Sequence, residues 1–246
     1  REFIMFSRKK TEIKVLKKQD IKSLSGEKER ILKSWQSLPR NYVLVHTFEG
    51  TQSPFYKHRA ETLLNSWDVI STSLVDLNDI KPGSKTTPRY TGMFFTIALI
   101  LEVPVQNILG THPTDVWFPN HIGRQHNKPS GRVKDPSALS RAIFRGEGKD
   151  RRHYEGGYQK LLTPSALLSE DKKVRKNHTH NEVLVIGRPG IRIYPGLPAT
   201  QNIRVRKILI AEKRKIDYDL YEFYENSPHN VAEKVAAING LEYEII

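Results

Sequence analysis

Cysteine is absent from this chain of 246 residues. Disulfide bonds, thiolate zinc sites and cysteine nucleophiles are therefore all excluded. This absence leaves the cellular compartment open, because a cysteine-free chain suits passage through a secretion apparatus and also occurs among cytosolic proteins. Long hydrophobic runs are lacking as well: the longest, at 93–103, is shorter than the roughly 20 residues that a membrane-spanning helix needs. The sequence therefore predicts no membrane span.

Acidic residues are scarce relative to basic ones, with 27 Asp and Glu against 40 Lys and Arg and a formal net charge of +13. This imbalance favours contact with an anionic partner, such as nucleic acid, a phosphorylated cofactor, a membrane surface or an acidic protein. The basic residues are spread along the whole chain, however, so a solvated basic surface explains the charge equally well. Charge alone selects no partner.

The chain does contain enough apolar sequence, 37% of its residues, for a substantial core. Apolar residues recur at roughly helical spacing through 1–40, which predicts an N-terminal helical extension of one or two amphipathic helices. The remainder, 41–246, predicts one α/β domain, because strand-like and helix-like segments both recur along it.

Strands are predicted where β-branched and aromatic residues form short apolar runs between turn residues. The predicted strands are 41–48, 69–74, 182–186, 191–194, 203–211, 218–224 and 241–246. Helical periodicity predicts helices at 55–67, 164–176 and 231–238. A buried helix is predicted at 93–103, where a strand is the alternative. The segment 104–136 predicts packed loops, because aromatic residues recur among its Pro, Asn and Gly residues.

Polar residues lie in three of these predicted strands. The first strand carries His46 and Thr47 within the run Val-Leu-Val-His-Thr-Phe. The second carries Ser-Thr-Ser at 71–73, and Glu182 opens a later strand, Glu-Val-Leu-Val. This order resembles the mono-ADP-ribosyltransferase superfamily of toxin and effector enzymes, which split NAD and pass ADP-ribose to a target. The shared features are a basic or imidazole residue on the first strand, a Ser-Thr-Ser strand, and a glutamate opening a later apolar strand.

The resemblance implies a fold and a ligand. The fold would be α/β (α+β), with an ADP-ribosyltransferase-like split antiparallel β core of two facing sheets and an N-terminal helical extension at 1–40. NAD would bind in the cleft between the sheets, and 41–246 would be the catalytic domain. The interval from Ser73 to Glu182 is long for the family, so an insertion at about 80–176 is expected to contact the target.

Glu182 is the expected catalytic carboxylate. Cleavage between ribose and nicotinamide leaves an oxocarbenium-like centre, whose charge a fixed carboxylate stabilises in the transition state. The resemblance implies that Ser71 holds Glu182 or the ribose in place. His180 stands where arginine-modifying members carry Glu and other members carry Gln, so arginine is not the expected acceptor. Imidazole groups in general titrate near neutral pH, so His180 could position or deprotonate another acceptor, such as a hydroxyl.

The resemblance also assigns contacts with NAD. His46 would hydrogen-bond a ribose, and the backbone at Thr47 would receive the nicotinamide amide. Arg124 is a candidate for the pyrophosphate, because a guanidinium suits that group. Tyr90 and Phe94 could stack on nicotinamide, and core packing is the alternative for Phe94. The expected NAD-binding residues are His46, Thr47, Ser71, Thr72, Ser73, Tyr90, Phe94 and Arg124.

The resemblance is strongest to secreted bacterial effectors, which implies a virulence protein that acts on a host protein in the host or target-cell cytosol. A small abundant protein such as ubiquitin could supply a hydroxyl acceptor. Two related activities stay open at this stage. One is transfer of ADP-ribose to nucleic acid, and the other is destruction of NAD by a glycohydrolase, which needs no acceptor site.

Interpretations from two other classes compete with a transferase. His178 and His180 alternate on one predicted strand and could hold zinc or iron with a third histidine, in a metal-dependent enzyme. The third histidine would be His46, His112 or His121. Aromatic residues beside basic ones, as at 151–154, are typical of RNA-binding proteins. Chelator sensitivity would mark the metal enzyme and steep salt dependence the RNA-binding protein, whereas the transferase needs no metal.

Overall fold

The computed structural model describes residues 25–48, 55, 57–67, 69–79, 97–114, 161–174, 180–194, 197–210 and 228–245. Within these ranges the chain forms helices and strands that alternate irregularly along the sequence. The helices are α1 Ser25–Gln36, α2 Ala60–Leu64, α3 Pro164–Val174 and α4 Pro228–Asn239. The strands are β1 Tyr42–Phe48, β2 Ile70–Asp76, β3 Ile97–Glu102, β4 Ile108–His112, β5 Glu182–Val185, β6 Arg204–Ile210 and β7 Tyr243–Ile245.

The seven described strands hydrogen-bond in the order β4-β5-β2-β1-β3-β6-β7. Neighbouring strands are antiparallel except β6 and β7, which run parallel. β2 pairs with a different neighbour along each half. Its residues Ile70 to Thr72 pair with β5, whereas Ser73 to Asp76 pair with β1. β5 and β1 are therefore attached to β2 at successive points along that strand.

Core residues lie on both faces of β1. The larger apolar cluster contains Leu44 and Phe48, and a smaller cluster contains Val45. Because side chains alternate along a strand, His46 lies on the face of Leu44 and Phe48, whereas Thr47 lies on the face of Val45. This alternation decides which polar groups of the strand can meet those of its neighbours.

The strands that carry the polar motifs lie where the sequence predicts them. The predictions at 41–48, 69–74 and 182–186 correspond to β1, β2 and β5. β5 is buried along its whole length, as expected for an apolar strand covered on both faces. A helix is confirmed within the predicted segment 1–40, where α1 covers Ser25–Gln36, and 1–24 lies outside the described residues.

Two apolar segments differ from their predictions. The helix predicted at 93–103 is wrong for its described part, because Ile97–Glu102 is strand β3, which pairs with β1 and β6. The segment predicted as packed loops, 104–136, contains strand β4 at Ile108–His112. Both strands are largely buried on both faces. They therefore lack the polar and apolar alternation that identifies a half-exposed strand in a sequence.

The strand predicted at 191–194 is also wrong. The main-chain N–H of Ile191 donates to Oγ1 of Thr200 at 2.8 Å, and the N–H of Thr200 donates to the main-chain oxygen of Ile191 at 2.8 Å. These bonds close a local loop. The helix predicted at 55–67 is much shorter than expected, since α2 covers only Ala60–Leu64. The strand predicted at 218–224 lies outside the described residues.

The architecture is mixed α/β (α+β), as the sequence predicts. Glycine at position 187 shows how tightly its layers pack. A Cβ there would run into the main-chain oxygen of Leu64 and lie 2.8 Å from that of Trp67. In the described ranges, no helix has both the length and the apolar character needed to cross a membrane.

Candidate functional site

The three strands that carry the sequence motifs are neighbours, in the order β5-β2-β1. The Ser-Thr-Ser run at 71–73 spans the point at which β2 stops pairing with β5 and begins to pair with β1. Groups from both neighbouring strands contact this run. The candidate site is therefore built from three adjacent strands whose motifs are far apart in the sequence.

His46 joins β1 to β2 at a place where main-chain pairing between the two strands has ended. Its Nδ1 lies 2.8 Å from the main-chain oxygen of Ser71. A carbonyl oxygen only accepts, so Nδ1 carries a proton, and a neutral imidazole then keeps a lone pair on Nε2. Burial lowers the pKa of His46, while the hydrogen bond to Ser71 acts in the opposite direction. His46 is therefore neutral at physiological pH.

Aromatic rings surround the His46 imidazole. The ring centroids of Phe55 and Trp67 lie 5.8 and 5.7 Å from that of His46, and both contacts are edge-to-face. The Trp67 indole N–H is buried and has no hydrogen-bond acceptor in the described part of the chain. A hydrogen-bond donor on Trp67 and an acceptor on His46 are thus carried by adjacent rings.

Ser73 connects β2 to the residues that precede β5. Its Oγ lies 3.0 Å from the main-chain oxygen of Asn181 and 3.3 Å from Nδ1 of His180. Nδ1 of His180 also lies 2.9 Å from the Asn181 oxygen, which only accepts, so this nitrogen carries a proton too. All three residues are buried. Ser73 is therefore the hydroxyl of the motif that contacts His180.

Glu182 is the first residue of β5 and is only 1% exposed. It pairs with His112 of β4, and Leu184, two residues further along β5, pairs with Ser71 of β2. Residues that pair directly share a face of the sheet, and so do alternate residues of one strand. Glu182 therefore lies on the same face as Ser71 and Ser73.

Thr72 lies on the opposite face of β2 from the two serines. Its Oγ1 donates to the main-chain oxygen of Val183 at 2.6 Å. This hydroxyl is buried and fastens β2 to β5. Thr72 thus has a structural role in the described structure, and its predicted contact with NAD stays a prediction.

His46 and Thr47 lie on opposite faces of β1. Val45 pairs with Ser73 and shares its face, so Thr47 lies on the face of Ser73 and Glu182. His46 lies on the other face, with its ring among aromatic side chains. Thr47, the two serines and Glu182 therefore lie on one face of the sheet. His46 lies on the opposite face and contacts the Ser-Thr-Ser motif through the main-chain oxygen of Ser71.

Five of the residues singled out in the sequence lie outside the described residues, and their roles stay predictions: Tyr90, Phe94, Arg124, His121 and His178. Among the residues that the structure does describe, no group of three or more His, Asp or Glu side chains is arranged to hold a metal ion. The histidine site considered from the sequence joins His178 and His180 to a third histidine, and because His178 lies outside the described residues, that site stays an alternative.

The sequence prediction assigns no role to Asn181 or Trp67, although both contribute to the site. Asn181 is fully buried and directly precedes Glu182. The available signal is an amide side chain at the start of an apolar strand, which is unusual because a buried amide needs partners for both its donor and its acceptor. For Trp67, a buried tryptophan three residues before a strand carries no comparable signal.

No protein-family model, curated protein or solved structure matches the chain. Function is therefore inferred from the residues and contacts of strands β5, β2 and β1.

Proposed function

We propose that this chain is an NAD-dependent mono-ADP-ribosyltransferase. The observation that carries the proposal is the position of the Ser-Thr-Ser strand, which lies between the strand of His46 and the strand that Glu182 opens. Both neighbours fasten to the motif, through the Ser71 oxygen and the Thr72 hydroxyl. Motifs from three distant parts of the sequence thus form one region, which supports a shared role for them.

The divided pairing of β2 supports the finer fold that this function requires. In that fold, β4, β5 and the first half of β2 would form one sheet, and the remaining strands with the second half of β2 would form the other. Pairing between β1 and β2 ends at Val45 and Ser73. The cleft for NAD would open beyond that pair, where the two strands separate.

Glu182 is the group best suited to the chemical step. When the bond between ribose and nicotinamide breaks, its electron pair leaves with nicotinamide and positive charge develops on the ribose. A carboxylate stabilises that charge more strongly in a buried site than in water, because less solvent screens the interaction. Since Glu182 is buried, the ribose would reach it after side chains covering the start of β5 move aside.

The described polar groups suit the sugars of NAD. Ser71 and Ser73 carry hydroxyls on the face of Glu182, and Thr47 lies on that face and is half-buried. His46 offers the Nε2 lone pair as an acceptor for a ribose hydroxyl. For the pyrophosphate, Arg124 remains the proposed partner, and the net charge of +13 favours an anionic ligand.

His180 is the proposed acceptor-selecting residue. Its Nδ1 proton is held by the Asn181 oxygen, so in the neutral imidazole Nε2 is the nitrogen able to take a proton from a hydroxyl. The proposed acceptor is therefore a hydroxyl on a host protein, with ubiquitin as one candidate. The proposed setting is a secreted bacterial effector acting in the host-cell cytosol.

The test uses NAD labelled in its adenylate phosphate, a crude host-cell lysate and three forms of the protein. These are wild type, Glu182→Gln, and Glu244→Gln as the control, because Glu244 is an exposed carboxylate on β7 paired with Lys207. Wild type and control should label a discrete, nuclease-resistant protein band and release nicotinamide. Glu182→Gln should reduce both by about 100-fold or more, with an unchanged circular dichroism spectrum.

Three outcomes would contradict the proposal. Wild type that leaves NAD intact would overturn it entirely, and an active Glu182→Gln would overturn the assignment of the carboxylate. NAD consumption without label in any macromolecule would replace the transferase with a glycohydrolase. Label that disappears on nuclease treatment would replace the protein acceptor with nucleic acid.

A further inference from the structure

We infer that Asn181 is a positioning residue, which sets the main chain before β5 at the distance from β2 that His180 and Glu182 require. The inference rests on the proposed function for its kinetic consequence. Its structural basis is a pair of side-chain hydrogen bonds between Asn181 and one residue of β2, and it concerns a side chain that would not itself touch NAD.

The Asn181 amide binds both main-chain groups of Leu74. Its Oδ1 accepts from the Leu74 N–H at 2.8 Å, and its Nδ2 donates to the Leu74 oxygen at 2.9 Å. The N–H and C=O of one strand residue point to the same side, so this side of Leu74 faces β5. The amide therefore takes the place that the main chain of an ordinary pairing residue would occupy.

Because the side-chain amide of Asn181 lies between the two chains, the main chain of Asn181 lies farther from β2 than it would in ordinary strand pairing. Ordinary pairing between β2 and β5 ends at Thr72 and Val183, and beyond it the amide stands between the two chains. The main-chain oxygen of Asn181 is then available to Ser73 Oγ at 3.0 Å and to His180 Nδ1 at 2.9 Å. One residue thus orients the imidazole before it and holds the strand on which Glu182 follows.

A carboxylate from α3 contacts the same amide. Nδ2 of Asn181 lies 3.4 Å from Oδ2 of Asp171, and both residues are fully buried. The two hydrogens of Nδ2 are therefore directed to two acceptors, Leu74 and Asp171. Aspartate at position 181 would lack both donors and would face two buried oxygen acceptors, so substitution at this site has a specific chemical effect.

A second asparagine, at the other end of β5, makes the same pair of side-chain hydrogen bonds to the main chain of one residue, and it supplies a matched control. The side chain of Asn107 accepts from the Gln201 N–H at 2.9 Å and donates to the Gln201 oxygen at 2.7 Å, and Asn107 is also fully buried. Its main-chain oxygen accepts from Ile186, just beyond β5. Asn107→Asp should therefore disturb a similar bond pair without touching His180 or Glu182.

The experiment compares Asn181→Asp, Asn181→Ser and Asn107→Asp with wild type in the full chain. Nicotinamide release gives kcat and KM for NAD, and ¹⁵N NMR of labelled imidazoles reports the proton on His180 Nδ1. Both Asn181 variants should lose about tenfold or more in kcat, with KM within about threefold of wild type. In both, the Nδ1–H signature of His180 should weaken. Asn181→Ser introduces no buried charge, so it tests the inference if Asn181→Asp does not fold.

Asn107→Asp should lower the melting temperature while kcat, measured well below that temperature, and the His180 signature stay unchanged. Asn181 variants that keep wild-type kcat and an unaltered His180 signature would overturn the inference. Equal loss of kcat in the Asn107 variant would also overturn it, because the effect would then be general destabilisation. Failure of wild type to cleave NAD would instead refute the proposed function, and the NMR comparison would still test the role of Asn181 on His180.

Discussion

The imidazole Nδ1 of His46 donates to the main-chain oxygen of Ser71 across 2.8 Å, at the place where β1 and β2 no longer pair with each other. One side chain thus replaces a main-chain hydrogen bond where the two strands separate. The contact holds the first residue of the Ser-Thr-Ser motif against the first strand, and it does so with a group that can titrate.

We expect the folded protein to lose stability through His46 as pH falls below the ordinary histidine pKa of 6.5. Burial lowers the pKa of His46 in the folded state, so below pH 6.5 the unfolded chain binds the extra proton first and is favoured. Above that pH the group is neutral in both states and contributes no pH dependence. The loss is at most about 1.4 kcal/mol per pH unit and stops below the folded pKa.

Urea unfolding at several pH values measures this dependence. The variant His46→Gln keeps a donor for the Ser71 oxygen and cannot titrate, so its stability should fall less steeply between pH 6.5 and the folded pKa. Since all other residues are the same in both proteins, the difference between the two slopes isolates the contribution of His46. Identical slopes would show that His46 titrates normally in the folded state.

Ser71→Ala should cause a partial loss of activity. If its hydroxyl contacts Glu182 or the ribose, as proposed, removing one hydrogen bond to a charged group should lower the rate of NAD cleavage by about tenfold. The control is Ser37→Ala, at an exposed position after α1. An unaltered rate for Ser71→Ala would remove this residue from the site.

Thr72→Val should destabilise the fold and leave the KM for NAD near the wild-type value. The change keeps the shape of the side chain but removes the donor to the Val183 oxygen, at a cost of about 1 to 2 kcal/mol. Thr72→Ser retains the hydroxyl and should recover most of the lost stability. A raised KM with an unchanged melting temperature would instead support the predicted contact between Thr72 and NAD.

Gly187→Ala should destabilise the protein by about 3 kcal/mol, because the added methyl group would overlap main-chain oxygens of Leu64 and Trp67 that cannot move easily. The matched control is Gly26→Ala in α1, where a Cβ meets nothing within 4 Å. Alanine is the better helix former by roughly 0.5 to 1 kcal/mol, so the control should be neutral or slightly stabilising. Thermal unfolding compares the two, and similar melting temperatures would contradict the packing argument.

Local sequence patterns correctly predict the three strands of the site but not the neighbouring strands β3 and β4. β1, β2 and β5 combine short apolar runs with flanking turn residues, and such runs predict strands directly. β3 and β4 are largely buried on both faces, so their sequences lack the alternation of polar and apolar residues that marks a half-exposed strand. Only pairing with neighbouring strands distinguishes these segments from a buried helix or a packed loop. The strand prediction at 191–194 is wrong because Ile191 hydrogen-bonds to Thr200, nine residues later. No hydrophobic periodicity in the sequence predicts that contact.

The sequence by itself determined the mixed α/β class, the basic charge, the absence of thiol chemistry and the three strands that carry His46, Ser-Thr-Ser and Glu182. These properties depend on composition and on residues close together in the chain. Only the tertiary structure decided that the Ser-Thr-Ser strand lies between the other two, that Glu182 is buried on the serine face, and that Asn181 pairs with Leu74. These relationships join residues about 25 to 110 positions apart, and strand order and register, which no local pattern specifies, bring them together.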